Sequence, residues 1–331
     1  MTAPIVTFFN NKGGVGKTSL VYHLAWMLAD LGHRVVVADL DPQTNLTSAF
    51  LDENELEWIW PLDAEHRSVW GALRPFHERE ESIGPAPLAR TDDDRLALLP
   101  GDLALSTFED DLAEAWSGSM DGKPGAFRTM SAFWTVLSDA ARKHDAEIVL
   151  VDVGPSLGSV NRAALVASDY VVIPLALDLI GLQGLRNLGP TLREWRSGWA
   201  NRLVNRPPSD TPLPAGRMAV IGYVVLGQGV RLNRPGPAYQ RRMNQIPEQF
   251  RTTVLDLPHA SFAKLEDDPY CLAQLKHYHS LLLLAQEARK PVFHLKPADG
   301  AFGGHAQAAQ SAYLDFEKLA SEILERVLPE R

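Results

Sequence analysis

Short apolar runs alternate with helical spacing along most of the chain. Ile5-Val6-Thr7-Phe8-Phe9 predicts a buried strand, and Leu20, Leu24, Leu28 and Leu31 predict one face of a helix that stops at Gly32. Val35-Val36-Val37-Ala38 predicts a central parallel strand ended by Pro42. Further strands are predicted at Arg95 to Leu99, Glu147 to Asp152, Tyr170 to Leu175 and Met218 to Leu226. Met130, Phe133, Leu137 and Ala141 predict a helix over 127–144, and the last third reads as helices at about 261–288 and 306–327. Phe76 to Asp94 and the proline patch from Pro207 to Pro214 read as loops. Strands alternating with helices predict an α/β fold, a mostly parallel, doubly wound sheet with helices on both faces.

Composition narrows the class. With 331 residues, 45% of them hydrophobic, the chain can build a sizeable core. One cysteine, Cys271, rules out a disulfide framework and metal sites built on paired cysteines, so a reducing, cytoplasmic setting is expected. The start, Met-Thr-Ala-Pro, does not read as a signal peptide, and no run reaches the roughly 18 apolar residues of a membrane span. The net charge of −9 is unevenly spread. Residues 181–245 hold ten arginines against two acids, a net +8 that leaves −17 on the rest, which hints at a polyanion-binding face. Trp58, Trp60 and Trp70 lie among acids and read first as packing groups, with a partner surface as the alternative.

The chemistry centres on Phe9-Asn10-Asn11-Lys12-Gly13-Gly14-Val15-Gly16-Lys17-Thr18-Ser19, a glycine-rich turn between the first strand and the first helix. Such a turn aims backbone N–H groups and a helix N-terminus at phosphate. Gly13, Gly14 and Gly16 let a polyphosphate approach, Lys17 would reach the β- and γ-phosphates, and Thr18 would sit on Mg²⁺. The common G-x-x-x-x-G-K-[ST] pattern is not met, because Asn11 stands at its first glycine and a second lysine, Lys12, stands early in the loop. At the end of the second strand, Asp39 and Asp41 emerge where open α/β sheets bind ligands, Asp41 to orient a water and Asp39 to support the Mg²⁺ shell. Asp152 closes the strand 147–152 as a carboxylate that would hold Mg²⁺. His277 and His279, two apart on a predicted helix, make a poor metal pair.

The loop form K-G-G-x-G-K-[TS] resembles the deviant P-loop of the ParA/MinD family of dimerising P-loop ATPases. Asp39 to Gln43 resembles that family's D-x-D-P-Q, Val153 to Gly158 its second switch, Asp102 to Ser106 a strand and following loop, Leu182 to Leu185 a helix start, and Ala288 to Phe293 its "GKPV" turn and last strand. The resemblance runs from about Ile5 to Leu328 and implies a single domain over 1–331. It implies an ATP loop made of Lys12, Gly13, Gly14, Val15, Gly16, Lys17, Thr18 and Ser19, with Mg²⁺ held by Thr18, Asp39 and Asp152. Lys12 would reach the partner subunit's nucleotide, and Asp41 would be the hydrolytic aspartate. The function implied is an ATP-dependent homodimeric switch with slow hydrolysis, non-specific DNA binding in the ATP dimer, and an adaptor of the ParB or cargo type. Gly154 departs from the family's frequent proline, and Val224 to Arg231 lacks its acidic T-M-x-D-x-R pattern. Candidate DNA contacts are therefore Arg186, Arg193, Arg196, Arg231, Arg234, Arg241 and Arg242 as a group. The few residues before Ile5 leave no room for a helix-turn-helix, so a short form is expected. The alternatives are a MinD-like positioning ATPase, disfavoured by the three glutamates of Phe316 to Val327, and an ATP-dependent small-molecule enzyme on the same fold.

Overall fold

A computed structural model describes residues 3–62, 65–78, 82–208, 212–227, 237–258, 265–276 and 278–328. Its strands are β1 (Ile5–Phe8), β2 (Val35–Asp39), β3 (Ala89–Arg90), β4 (Leu96–Leu99), β5 (Ile148–Asp152), β6 (Tyr170–Ala176), β7 (Ala219–Leu226) and β8 (Cys271–Leu275). The helices are α1 (Lys17–Asp30), α2 (Asn45–Phe50), α3 (Glu53–Ile59), α4 (Val69–His77), α5 (Glu109–Met120), α6 (Pro124–Met130), α7 (Ala132–His144), α8 (Ser159–Val166), α9 (Leu179–Val204), α10 (Pro237–Gln249), α11 (His279–Ala288) and α12 (Gly304–Val327).

The strands form one sheet in the order β3-β4-β2-β5-β1-β6-β7-β8, parallel except where β3 meets β4. Alternation along β2 explains why helices cover both faces. Val35 and Val37 join Leu20, Leu24 and Leu28 of α1 and Phe316, Leu319 and Ile323 of α12 in one core. Val36 and Ala38 join Leu112, Phe133 and Leu137 in the other. Neither face of the central strands can be polar, so they read as unbroken apolar runs. The predicted fold class is the one found.

Three expectations change. The helix over 127–144 is two helices, α6 and α7, broken at Ser131, with Phe127, Met130 and Phe133 all buried. The helix at about 261–288 is replaced by a single 3-10 turn (Leu265–Asp267), the edge strand β8 and the shorter α11. Long-range pairing decides this: β8 lies parallel to β7, and the buried Asp268 accepts a hydrogen bond from the Tyr223 hydroxyl at 2.7 Å, with helix-breaking Pro269 beside it. The segment compared to a "GKPV" turn and last strand carries only a 3-10 turn (Val292–His294), and β8 is the last strand. His277 lies outside the described residues, as does the side chain of His279, the first residue of α11. Trp70 is buried, Trp60 is half-buried with its indole N–H on the Gly101 carbonyl at 3.0 Å, and Trp58 is exposed under the Arg67 guanidinium.

Candidate active site

β1, β2 and β5 end side by side, and their C-terminal residues build the site. The loop after β1 turns through Gly14 and Gly16, whose φ values of 69° and 89° lie in the left-handed region, so these two glycines are required by backbone geometry. Asn10 anchors the loop's start: its Nδ2 donates to the Pro174 carbonyl at 2.6 Å, and its Oδ1 accepts the Lys12 N–H at 3.0 Å. The sequence offered no signal for that brace.

Lys17, 7% exposed, donates from Nζ to Asp152 Oδ1 at 2.7 Å, and Thr18 donates its hydroxyl to Asp152 Oδ2 at 2.6 Å. Burial pushes the fully enclosed Asp152 carboxyl above the ordinary carboxylate range, against the opposing pull of Lys17. Among the described residues no group of three or more His, Cys, Asp or Glu gathers as a metal site. Two hard oxygens, from Thr18 and Asp152, suit a Mg²⁺ ion that takes its other ligands from phosphate and water.

Asp39 stands opposite Asp152 in the sheet register and is fully buried. Its Oδ2 accepts from the Thr47 N–H at 2.8 Å and the Thr47 hydroxyl at 2.7 Å, and its Oδ1 accepts from the Asp41 N–H at 3.2 Å. Its carboxyl is pushed up to about 7, first by burial and then by Asp152. Both oxygens thus face protein donors, an arrangement that positions Asp41 and α2. Gly101 makes room for it, since a methyl there would meet the Asp39 carboxyl carbon at 2.9 Å. Asp41, 5% exposed, accepts the Gln43 N–H at 3.0 Å and borders the cavity over the glycine loop. A side-chain carbon at Gly154 would lie 3.2 Å from Asp41 Oδ1, a physical use for glycine in the second switch. Asn161 braces that switch by donating to the Gly154 and Ser156 carbonyls, each at 2.7 Å.

Lys12 is ion-paired within its own chain to Asp178, which also caps α9 by accepting the Gly181 N–H at 2.7 Å. Spacing alone could not reveal this partner, 166 residues away. Over the loop lies a cavity of about 660 Å³ bordered by Lys12 to Ser19, Asp41, Gln43 and Pro155, and by Gln286, Arg289 and Lys290 at the end of α11. That size suits a nucleotide. A second cavity of about 130 Å³ adjoins it between the ends of β7 and β8.

Among the described residues, the arginines of this segment differ in their surroundings. Arg186 and Arg196 are exposed on α9, whereas Arg193 donates to the Thr253 and Val254 carbonyls. Arg202, buried, stacks on Trp116 at 3.6 Å and donates to its carbonyl. Arg231 and Arg234 lie outside the described residues, as do the side chains of Arg241 and Arg242 in α10.

His23, one turn beyond Ser19 on α1, is 4% exposed. Burial lowers its pKa from 6.5 to about 4, outweighing the hydrogen bond between Nδ1 and the Ser19 carbonyl. Because the folded value is below the unfolded one, this group's stabilisation is present above pH 6.5 and is lost as the pH falls towards 4, by on the order of 3 kcal/mol. Asp39, raised to about 7, gains stability over the same window in both proteins, so urea unfolding should show the His23 loss as a native-minus-His23→Phe stability difference that falls between pH 7 and 4. An unchanged difference would assign the acid sensitivity elsewhere.

Residues 3–204 match the family described as AAA domain (AAA_31), which is more than half of the chain. The chain belongs to this family. It is 33% identical over 200 residues to the chromosome-partitioning ATPase Soj of Thermus thermophilus, covering 60% of this chain and 65% of that one. It is 31% identical over 245 residues to a putative replication protein A of Rhizobium rhizogenes, covering 70% and 56%. These matches span about half to two thirds of the relatives' length. Among solved structures, the AAA_31 chain superposes on a Corynebacterium diphtheriae protein with a TM-score of 0.73 at 23% identity, covering 99% and 100% of the two chains. It superposes on an ATP complex of Cyanothece McdA with a TM-score of 0.64 at 14% identity, covering 100% and 98%. At these identities the likeness is one of fold. No described helix of this AAA_31 chain is long and apolar enough to cross a membrane.

Proposed function

We propose that this chain is a ParA-type switch, a single domain over 1–331 that binds ATP with Mg²⁺, dimerises on it, hydrolyses it slowly and binds DNA non-specifically as the ATP dimer, for DNA segregation or cargo positioning. One observation carries this reading: Lys12, Lys17, Thr18 and Asp41 gather at one glycine loop, with Lys12 held at its rim by Asp178. Lys17 neutralises the β- and γ-phosphates, and the N–H groups of residues 13–19 cradle them. Thr18 and Asp152 would hold Mg²⁺, which supplies further charge neutralisation. For Thr18 and Lys17 to take these roles, their bonds to Asp152 must rearrange. Asp41 accepts a hydrogen bond from the attacking water and aligns it, with Asp39 and Gly154 holding it in place. Lys12 leaves Asp178 to reach the partner subunit's nucleotide. The adenine leaves the loop towards α11 or the ends of β7 and β8.

The membrane-positioning alternative is weakened by α12, whose apolar stripe of Phe316, Leu319, Ile323 and Val327 is already buried against α1. Among the described residues no second catalytic constellation supports the small-molecule enzyme. An adaptor protein is part of the proposal, as is nucleoid association in the cytoplasm.

Fluorescence anisotropy with duplex DNA of mixed sequence, with ATP or ADP across a salt series, tests the DNA half. The expected result is binding with ATP only, falling by about 0.9 log unit per phosphate contact for each tenfold rise in salt. Equal binding with both nucleotides, or none at low salt, would reject nucleotide-gated DNA binding and leave the exposed arginines as a solvated face.

A further inference from the structure

His23 borders both cavities above the glycine loop, and its Nε2 is buried without a hydrogen-bond partner. We infer that the nucleoside half of the bound nucleotide donates a hydrogen bond to Nε2 of His23, from the base's exocyclic amine or from a ribose hydroxyl. The inference rests on the nucleotide-binding reading above and assigns a residue to the part of the ligand that the loop motif leaves unread.

The geometry points there in three steps. First, Nδ1 lies 2.6 Å from the Ser19 carbonyl, an oxygen that can only accept, so Nδ1 carries the ring proton and Nε2 presents a lone pair. Enclosure keeps the imidazole neutral near pH 7, so that lone pair stays available. Second, the ring cannot easily turn away. It stacks on Phe316 at 5.2 Å and 20°, and meets Tyr22 and Phe293 edge-on at 5.3 and 6.0 Å. Third, once the phosphates occupy the loop, the nucleoside has two cavities to enter. Both are bordered by Ser19, His23 and Leu282, so either course brings it past the imidazole, and the nucleoside reaches Nε2 by displacing the side chains that close that atom from solvent.

A histidine kept only for packing has no use for Nε2. Phenylalanine would fill an aromatic cluster of this kind without leaving an acceptor unpaired, and buried acceptors are rarely left so. A lone pair beside the nucleoside also selects. It accepts from the 6-amine of adenine and repels the 6-oxo group of guanine, or else it reads ribose against deoxyribose.

The test is calorimetric binding of ATP, 2′-deoxyATP, 3′-deoxyATP and purine riboside triphosphate, each with Mg²⁺, to the full chain and to His23→Phe. ATP should bind the variant about 10-fold more weakly. One analogue, the one lacking the donor, should bind both proteins equally and as weakly as ATP binds the variant. Loss of affinity for purine riboside triphosphate names the amine, and loss for a deoxy analogue names the hydroxyl. Unchanged ATP affinity in a folded His23→Phe overturns the inference while leaving the nucleotide site standing, whereas failure of the native chain to bind ATP overturns that site itself. Imidazole ¹⁵N spectra of the native chain need no variant. The unprotonated nitrogen should move upfield with ATP and not with the donor-lacking analogue, and the same spectrum with all four nucleotides overturns the inference.

Discussion

Lys17→Ala is expected to lower ATP affinity at least 100-fold and to cost about 3–5 kcal/mol of stability in the absence of nucleotide. Two different losses combine. The ammonium that would neutralise the β- and γ-phosphates is gone, and charge neutralisation of that kind is the main contribution a protein makes to phosphoryl chemistry. The second loss belongs to the empty protein. Lys17 and Asp152 form a buried pair at 2.7 Å, 7% and 0% exposed, and removing the lysine strands a carboxylate whose proton affinity is already raised by burial. A second variant separates the two effects. Lys17→Ala with Asp152→Asn should recover much of the stability, because the stranded charge is neutralised, and should still fail to bind ATP. Calorimetry with ATP and urea unfolding of both variants make the comparison. If Lys17→Ala bound ATP within a few-fold of the native chain, the glycine loop would not be the phosphate site.

Asp41→Ala should behave oppositely. ATP affinity should change by no more than about 3-fold, while hydrolysis should fall by about 10²–10⁴, the range for losing a group that positions or deprotonates a nucleophile. Among the described residues the carboxylate of Asp41 accepts a local backbone N–H from Gln43, so its removal disturbs little of the fold. With hydrolysis blocked, the ATP form should accumulate as a dimer in sedimentation velocity, and DNA binding with ATP should persist for as long as nucleotide remains. A variant that binds ATP and stays monomeric would contradict the switch, and one that hydrolyses at the native rate would remove Asp41 from the chemistry.

What could be read from the residues alone shares one property. The glycine loop, D-x-D-P-Q and the strand ending in Asp152 are local patterns, in which backbone conformation and side-chain chemistry are set by near neighbours. Gly14 and Gly16 show this directly: their left-handed φ values are demanded by the turn itself. The alternation of strands and helices was legible for the same reason, since central strands buried on both faces leave unbroken apolar runs.

Readings that required knowing what lies opposite failed or were missing. The segment at 261–288 was misread because Leu272 and Leu275 fit a helix as well as an edge strand, and only pairing with β7 selects the strand. A count of arginines could not show that Arg193 and Arg202 turn to backbone carbonyls and Trp116. Nor did spacing show that Asp39, read as supporting the Mg²⁺ shell, also accepts from Thr47 and the Asp41 N–H. Asp178 and His23 carried no motif. Asp178 became relevant when the chain brought it to Lys12, and His23 when packing closed its Nε2 from water between two cavities. The sequence by itself determined the fold class and the glycine-rich turn with its two lysines, because these depend on residues within a few positions of one another. The tertiary structure decided which charges are free, which are paired and which acceptor waits without a donor, because each of those depends on contacts across the sheet and between distant helices.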